Sequence, residues 1–308
     1  MPDGTKRILI TGATGLIGTH LARALAARGD EVIALVRNVD AGRRRVPEAA
    51  RHLSWSSGST GGEWANAMDG ADAVVNLAGA PIAKRWTQEH KRIALESRTN
   101  AARNIIAAMA SAKAPPPVLV NASAVGYYGT SETEVFTESS PPGHDYLATT
   151  CAAWEEAAVA AETLGTRVAR IRIGIVLDNR EGALGRLLLP YRLFVGGPVA
   201  PGTQWFPWVH VEDVVRLITW AIDTPGASGP FNAVAPGIVR HREFSRTLGR
   251  VLHRPAFLTV PQFVIRLILG EGALMLTEGQ NVRAERPQAA GFRFAYPELT
   301  AALQNLLK

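Results

Sequence analysis

One turn, Gly12-Ala13-Thr14-Gly15-Leu16-Ile17-Gly18, constrains this chain more than any other feature. It follows a short apolar run, Ile8-Leu9-Ile10-Thr11, that reads as a buried strand. It leads into Leu16 to Arg28, where Leu16, Ile17, Leu21, Ala24 and Leu25 recur at helical spacing and Gly29 supplies a stop. Val32 to Val36 is a second buried strand, which closes a β-α-β unit of the usual ~30 residues. In that context the three glycines have separate roles. Gly12 permits a tight exit from the strand, Gly15 lets backbone approach a pyrophosphate, and Gly18 lets the helix lie close to the sheet. The pyrophosphate then lies at the positive end of the helix, against free N–H groups. A packing turn that holds no ligand is the alternative, and the ordered strand, turn, helix and strand speak against it.

Further along, Arg51 to Trp55 reads as a third strand, Ala73 to Leu77 as a fourth, Val118 to Ala122 as a fifth and Arg167 to Val176 as a sixth. Thr87 to Ala112 and Thr149 to Leu164 read as helices, and residues 38–50 as a polar, Arg-rich loop. Strands alternating with helices predict an α/β Rossmann fold with a doubly wound parallel sheet. The pattern loosens after Leu177, with helices expected at Val211–Asp223, Arg242–Leu252, Pro261–Leu269 and Leu299–Leu307. The expectation is a dinucleotide-binding domain over residues 1–176 and a smaller C-terminal substrate lobe over 177–308, with room for that lobe to return elements to the core.

Composition narrows the function. The chain has 308 residues, 47% hydrophobic and 19% charged, the balance of a globular protein rather than a disordered one. No apolar run reaches the ~18 residues that span a bilayer, and the longest candidate, Phe257 to Leu269, is broken by Pro261, Gln262 and Arg266. No membrane partner is expected. The single cysteine, Cys151, rules out an internal disulfide and fits a reducing cytoplasm. The seven histidines are scattered without metal-ligand spacing, so no metal site is expected. A net charge of +6 raises nucleic acid as a partner, but no nucleic-acid motif accompanies it. Nine of the basic residues fall within residues 1–51, beside the glycine turn, where a phosphate-bearing small ligand accounts for them.

The end of the second strand selects between the two nicotinamide cofactors. An acid there would hold a ribose 2′-hydroxyl; this chain has Arg37-Asn38, with Arg43 to Arg45 close behind. A guanidinium suits a 2′-phosphate, so NADP (NADPH) is the expected cofactor. Asn76-Leu77-Ala78-Gly79 ends the fourth strand, and the small Leu77-Ala78-Gly79 turn suits the adenine-side ribose.

The combined pattern resembles the short-chain dehydrogenase/reductase superfamily, extended branch. The glycine spacing, the Asn-Leu-Ala-Gly turn, the segment Ser123 to Gly129 and Trp208-Val209-His210-Val211-Glu212-Asp213 carry that resemblance. More narrowly, Ala80-Pro81-Ile82, Lys84-Arg85-Trp86-Thr87, Gly126-Tyr127-Tyr128-Gly129, Trp154-Glu155-Glu156 and Ala290-Gly291-Phe292-Arg293-Phe294 resemble an uncharacterised epimerase subgroup with a C-terminal domain of unknown function. The resemblance implies a Ser, and a Tyr followed four residues on by a Lys. Ser123 is well placed and Tyr146 is present, but Thr150 stands at the lysine position. There is no lysine between Lys113 and Lys308. A phenol with no cation beside it shuttles protons poorly at neutral pH.

Ser123 and Tyr146 are therefore the catalytic candidates, with Tyr127, Tyr128 and His210 as other donors that could face the cleft. Packing is the competing role for each aromatic, a helix-start hydrogen bond for Asp213, and burial for Cys151. The leading reading is an NADP-dependent oxidoreductase or epimerase-like enzyme acting on a small polar substrate. The alternative is a binding module that holds NADP as a redox sensor or scaffold without turnover. The sequence does not fix the oligomeric state; a homodimer is one outcome.

Overall fold

The computed structural model describes residues 4–308, the side chain of Arg186 excepted. Its first half runs β1 (Arg7–Thr11), α1 (Leu16–Ala27), β2 (Glu31–Val36), α2 (Val39–Arg45), β3 (Arg51–Ser54), α3 (Glu63–Asn66), β4 (Ala73–Asn76), α4 (Gln88–Ser111), β5 (Val118–Ala124), β6 (Val135–Phe136), α5 (Tyr146–Val159) and β7 (Arg167–Ile173). The second half runs β8 (Ile175–Leu177), α6 (Gly182–Arg192), β9 (Trp205–Phe206), β10 (Trp208–His210), α7 (Val211–Asp223), β11 (Gly229–Ala233), β12 (Val239–Arg240), α8 (His241–Leu252), α9 (Gln262–Leu269), α10 (Leu274–Thr277), β13 (Asn281–Val282), α11 (Glu285–Ala289) and α12 (Leu299–Leu306).

Seven parallel strands form one sheet in the order β11-β7-β5-β4-β1-β2-β3, the doubly wound Rossmann arrangement expected from the sequence. Its strands are rich in buried Ile, Leu, Val and Ala because helices cover both faces, and two core clusters lie on its opposite sides. The order reverses at β1 and β4, so their carboxyl ends leave a crevice at the switch point, where ligands of such sheets bind.

Three readings of the sequence need correction. Residues 39–45 are a helix, not a loop: Asn38 caps it by accepting from the Ala41 N–H at 2.8 Å, with Asp40 in the first turn and Arg43 to Arg45 in the last, each matching the helix dipole. A seventh strand, β11, joins the six expected; its Gly229-Pro230 start looks like a turn, and it survives as the sheet's edge, where proline is tolerated. Helix α5 starts at Tyr146 instead of Thr149, because Asp145 caps it on the Ala148 N–H at 2.8 Å.

The portion after Leu177 has its own cluster, in which α6, α12 and α8, the last through its Phe244, pack around Phe206 and Trp208. Yet α7 lies across the core sheet and β11 extends it, so the later residues contribute to both bodies. Among the described residues, no helix is long and apolar enough to cross a membrane.

Candidate functional site

A cavity of about 760 Å³ opens at the switch point. On one side it is lined by Gly12, Gly15, Leu16, Ile17, Gly18 and Leu77; on the other by Trp205, Phe206, Pro207 and Leu274 to Leu276 of the later portion. The glycine turn is built as its spacing requires. Gly12 has φ +66°, and a Cβ there would lie 2.7 Å from the Leu77 carbonyl oxygen. A Cβ on Gly18 would lie 2.3 Å from the Gly12 oxygen, so that position is closed by the helix approaching the strand. Gly15 differs. A Cβ there meets only the Gly12 oxygen, at 3.2 Å, and otherwise points into open space. Its reason for being glycine is therefore access for a ligand. Gly15 also starts α1 with no side-chain cap and no acid in the first turn, which leaves the N-terminal N–H groups and the positive helix end facing the cavity.

The strand ends beside the turn are tied by a buried polar ladder. The Thr11 hydroxyl donates to Asn76 Oδ1 at 2.7 Å, and Asn76 Nδ2 donates to Asn121 Oδ1 at 2.7 Å. The same Asn76 oxygen accepts from the Ala78 N–H at 3.3 Å and shapes the turn after β4. Thr14, Arg37, Asn38, Ala78 and Gly79 do not line this cavity. Arg37 and Thr14 are exposed, Asn38 is spent on its helix cap, and Ala78 is buried.

Ser123, at the end of β5, and Tyr146, at the start of α5, line the same cavity. Neither side chain is free. Ser123 Oγ donates to Glu155 Oε1 at 2.7 Å, and Tyr146 Oη donates to the Lys91 carbonyl oxygen at 3.0 Å. Thr150 also lines the cavity, buried and with its hydroxyl unpartnered, so no lysine reaches the cavity from that position.

Two cations arrive from a different element. Lys91 and Arg98 lie two turns apart on one face of α4, and both line the cavity. Lys91 Nζ sits 5.2 Å from the Tyr146 ring centre and pairs with Glu271. The Arg98 guanidinium lies 5.2 Å over the Trp154 ring and donates to the Ala94 carbonyl at 2.9 Å. Among the described residues it has no carboxylate partner. Burial pulls it below the usual arginine range, opposed by the nearby Cys151 and Tyr146. It also occupies the space a side chain at Gly79 would need: a Cβ there would sit 2.9 Å from the guanidinium carbon. Neither cation emerges from the sequence, where a partner for Tyr146 is sought only on its own helix. The available signal is their seven-residue spacing on the helix after the Asn76 turn.

The remaining candidates serve the fold. Tyr128 donates to Asn232 Oδ1 at 2.6 Å and accepts from Arg172 at 3.0 Å, and burial pushes its phenol up to about 12. Tyr127 lies flat under the Arg172 guanidinium, 3.5 Å from its carbon. His210 lies outside the cavity: Nδ1 accepts from the Glu212 N–H, Nε2 faces Asn305, and the ring stacks on Tyr296. Asp213 accepts from the Ala295 and Tyr296 N–H groups at 2.6 and 2.9 Å. Cys151 borders the cavity, but burial, reinforced by Glu155, pushes its thiol up to about 11, so it stays protonated and unreactive. No cluster of metal-binding side chains occurs among the described residues.

Comparison with known proteins places the chain in a family. The sequence model of the NAD dependent epimerase/dehydratase family matches residues 8–234, and that of a domain of unknown function matches residues 260–306. The chain is 42% identical to the chloroplastic epimerase family protein SDR39U1 homolog of Arabidopsis thaliana, over 99% of this chain and 88% of that one. The crystal structure of human epimerase family protein SDR39U1 with NADPH is 35% identical, with a TM-score of 0.86 over 97% of this chain and 98% of that one. A nucleoside-diphosphate sugar epimerase from Corynebacterium glutamicum is 31% identical, with a TM-score of 0.77 over 98% of this chain and 58% of that one.

Proposed function

Because the chain belongs to the NAD dependent epimerase/dehydratase family, we propose that it is an NADP(H)-dependent oxidoreductase-type enzyme acting on a small molecule. The observation that carries this reading is the sharing of one cavity by the glycine turn, Ser123, Tyr146 and two cations, Lys91 and Arg98. NADP(H), carried by the human relative, fits the cradle: uncapped helix start, open space at Gly15, and no acid at the end of β2. When bound it supplies hydride chemistry.

The chain's own residues divide the remaining work. The N–H groups at the start of α1 hold the pyrophosphate, and Arg37, exposed at the end of β2, takes the 2′-phosphate. Arg98, with Lys91, brings to the cavity the positive charge that the absent lysine would have supplied. Four of its five N–H donors have no described acceptor and are open to a ribose or a substrate oxygen. Tyr146 turns its hydroxyl from the Lys91 carbonyl to the substrate oxygen and exchanges its proton there.

Fluorescence titration with NADPH and NADH tests the cofactor: NADPH is expected to bind more tightly, and equal affinity would overturn the assignment of Arg37. Arg37→Ala should weaken NADPH binding by roughly 1–3 kcal/mol and leave NADH unchanged. NADPH oxidation across a carbonyl panel tests turnover, with Arg98→Ala and Tyr146→Phe both expected to lower it at least tenfold. The sensor reading has one observation in its favour: the Ser123 and Tyr146 hydroxyls are both spent on acceptors within the protein. It predicts tight NADPH binding with no oxidation of the panel and no effect of either substitution.

A further inference from the structure

Among the described residues eleven large apolar side chains stand exposed, and nine of them fall in two segments, residues 189–195 and 257–268. The two segments are neighbours. Val199 and Val260 form a bridge, the Ala200 N–H donates to the Val260 carbonyl at 3.0 Å, and the Val260 N–H donates to the Pro198 carbonyl at 2.8 Å. The apolar side chains therefore gather on one face of the later portion, at the end of α6 and along α9.

Helix α9 is unusual in itself. Its sequence, QFVIRLIL, is almost entirely apolar, yet none of its residues is buried. Phe257, Phe263 and Leu267 are each at least 70% exposed. Contiguous exposed apolar surface of this kind marks an interaction site.

The charge carried by the two segments has a single sign. Between Glu181 and Glu212 there is no acidic residue, and between Glu243 and Glu271 there is none either. Arg192, Arg254 and Arg266 are exposed within these stretches, and none of them forms an ion pair among the described residues. A second copy of the chain fits less well here, because a twofold contact sets the surface against itself, so that two segments both bearing arginines and no acid would face each other. A smooth anionic surface satisfies both features, since aromatic and aliphatic side chains enter the headgroup boundary while arginines meet phosphates.

We propose that this face docks the protein reversibly on an anionic lipid bilayer, with Phe257, Phe263 and Leu267 entering the boundary and Arg192, Arg254 and Arg266 held at the phosphates. Such docking needs no bilayer-spanning run, and the surface is assembled from two segments that are each too short and interrupted to signal a membrane in the sequence. Helix α9 runs on into residues 270–277, of which Leu274, Met275 and Leu276 line the cavity. The docked face thus lies next to one wall of the site.

Co-sedimentation of the full chain with vesicles of phosphatidylcholine, with and without phosphatidylglycerol, tests the proposal. Binding to the anionic vesicles is expected to exceed binding to the neutral ones about tenfold or more. It should weaken as salt rises from about 0.1 M to about 0.5 M. Phe263→Ser with Leu267→Ser should reduce anionic-vesicle binding at least tenfold while circular dichroism and NADPH titration stay unchanged. Arg254→Glu with Arg266→Glu should remove the preference for anionic lipid. Failure of the unmodified chain to sediment with anionic vesicles at low salt would overturn the proposal. So would undiminished binding by the serine variant, or a dimer in sedimentation velocity that the serine variant splits.

Discussion

At the scale of single residues, the glycine turn separates two reasons for being glycine. Gly12 and Gly18 are fixed by the fold, since a Cβ at either would collide with backbone, whereas Gly15 faces open cavity. Gly15→Val should therefore leave the protein folded by circular dichroism and abolish NADPH binding; normal binding by the folded variant would mean that the turn is not the site. The same contrast explains what is legible in the sequence. The glycines, Ser123 and Tyr146 lie at strand ends and helix starts whose positions follow from local pattern, and all but Thr14 among the turn's assigned residues reach the cavity wall. Lys91 and Arg98 are not legible, because they come from a helix that begins more than 50 residues before Tyr146 in the chain and meets it only through packing of α4 on α5. Nor can local pattern show that Ser123 Oγ and the Tyr146 hydroxyl are engaged by Glu155 and a carbonyl of α4.

At the scale of elements, the buried Glu155 on α5 holds β7 and β5 together. Its Oε1 accepts from Ser123 and from Arg172 Nε at 2.8 Å, and its Oε2 accepts from Arg172 Nη2 at 2.9 Å and from Arg170 at 3.2 Å. Removing one partner of such a group leaves a buried charge unpaired, so Glu155→Ala should cost about 3–5 kcal/mol in urea unfolding. A loss below about 1 kcal/mol would show that Arg172 finds another partner. Asp213 acts as a clasp between elements. From the first turn of α7 it receives the N–H groups of Ala295 and Tyr296 and so fixes the segment leading to α12. Asp213→Ala should lower stability by about 2–3 kcal/mol and raise amide exchange at residues 295–306 ahead of the core strands. Uniform exchange would contradict this clasp. Helix α7 is readable from the sequence to its ends because its apolar stripe is strong and its far side is charged. Strand β11 and helix α2 are not, since a five-residue edge strand and a seven-residue helix carry too little periodicity to outweigh the glycine, proline and arginine in them.

At the scale of the whole molecule, His241 ties stability to pH. It stands where β12 enters α8, in the later portion, and it lines the cavity. Phe206 meets its ring edge-on at 5.5 Å, Phe244 lies at 6.1 Å, and Nδ1 has no partner. Burial lowers its pKa to about 4, against 6.5 for a free imidazole. The folded protein therefore keeps His241 neutral at pH values where the unfolded chain has already taken up a proton. The neutral ring costs nothing above pH 6.5, and stability falls as the pH drops from there towards 4, below which both states are protonated and the loss is complete. The whole difference amounts to about 3 kcal/mol from this one group. A melting temperature measured from pH 7 down to about pH 4.5 should fall, and His241→Gln, which carries no titrating proton, should flatten that fall even if it shifts the value at pH 7. Only the slope is diagnostic, because the lost ring contacts with Phe206 and Phe244 act equally at every pH. Parallel pH profiles for the two proteins would assign the acid sensitivity to other groups and refute the buried, neutral state of His241.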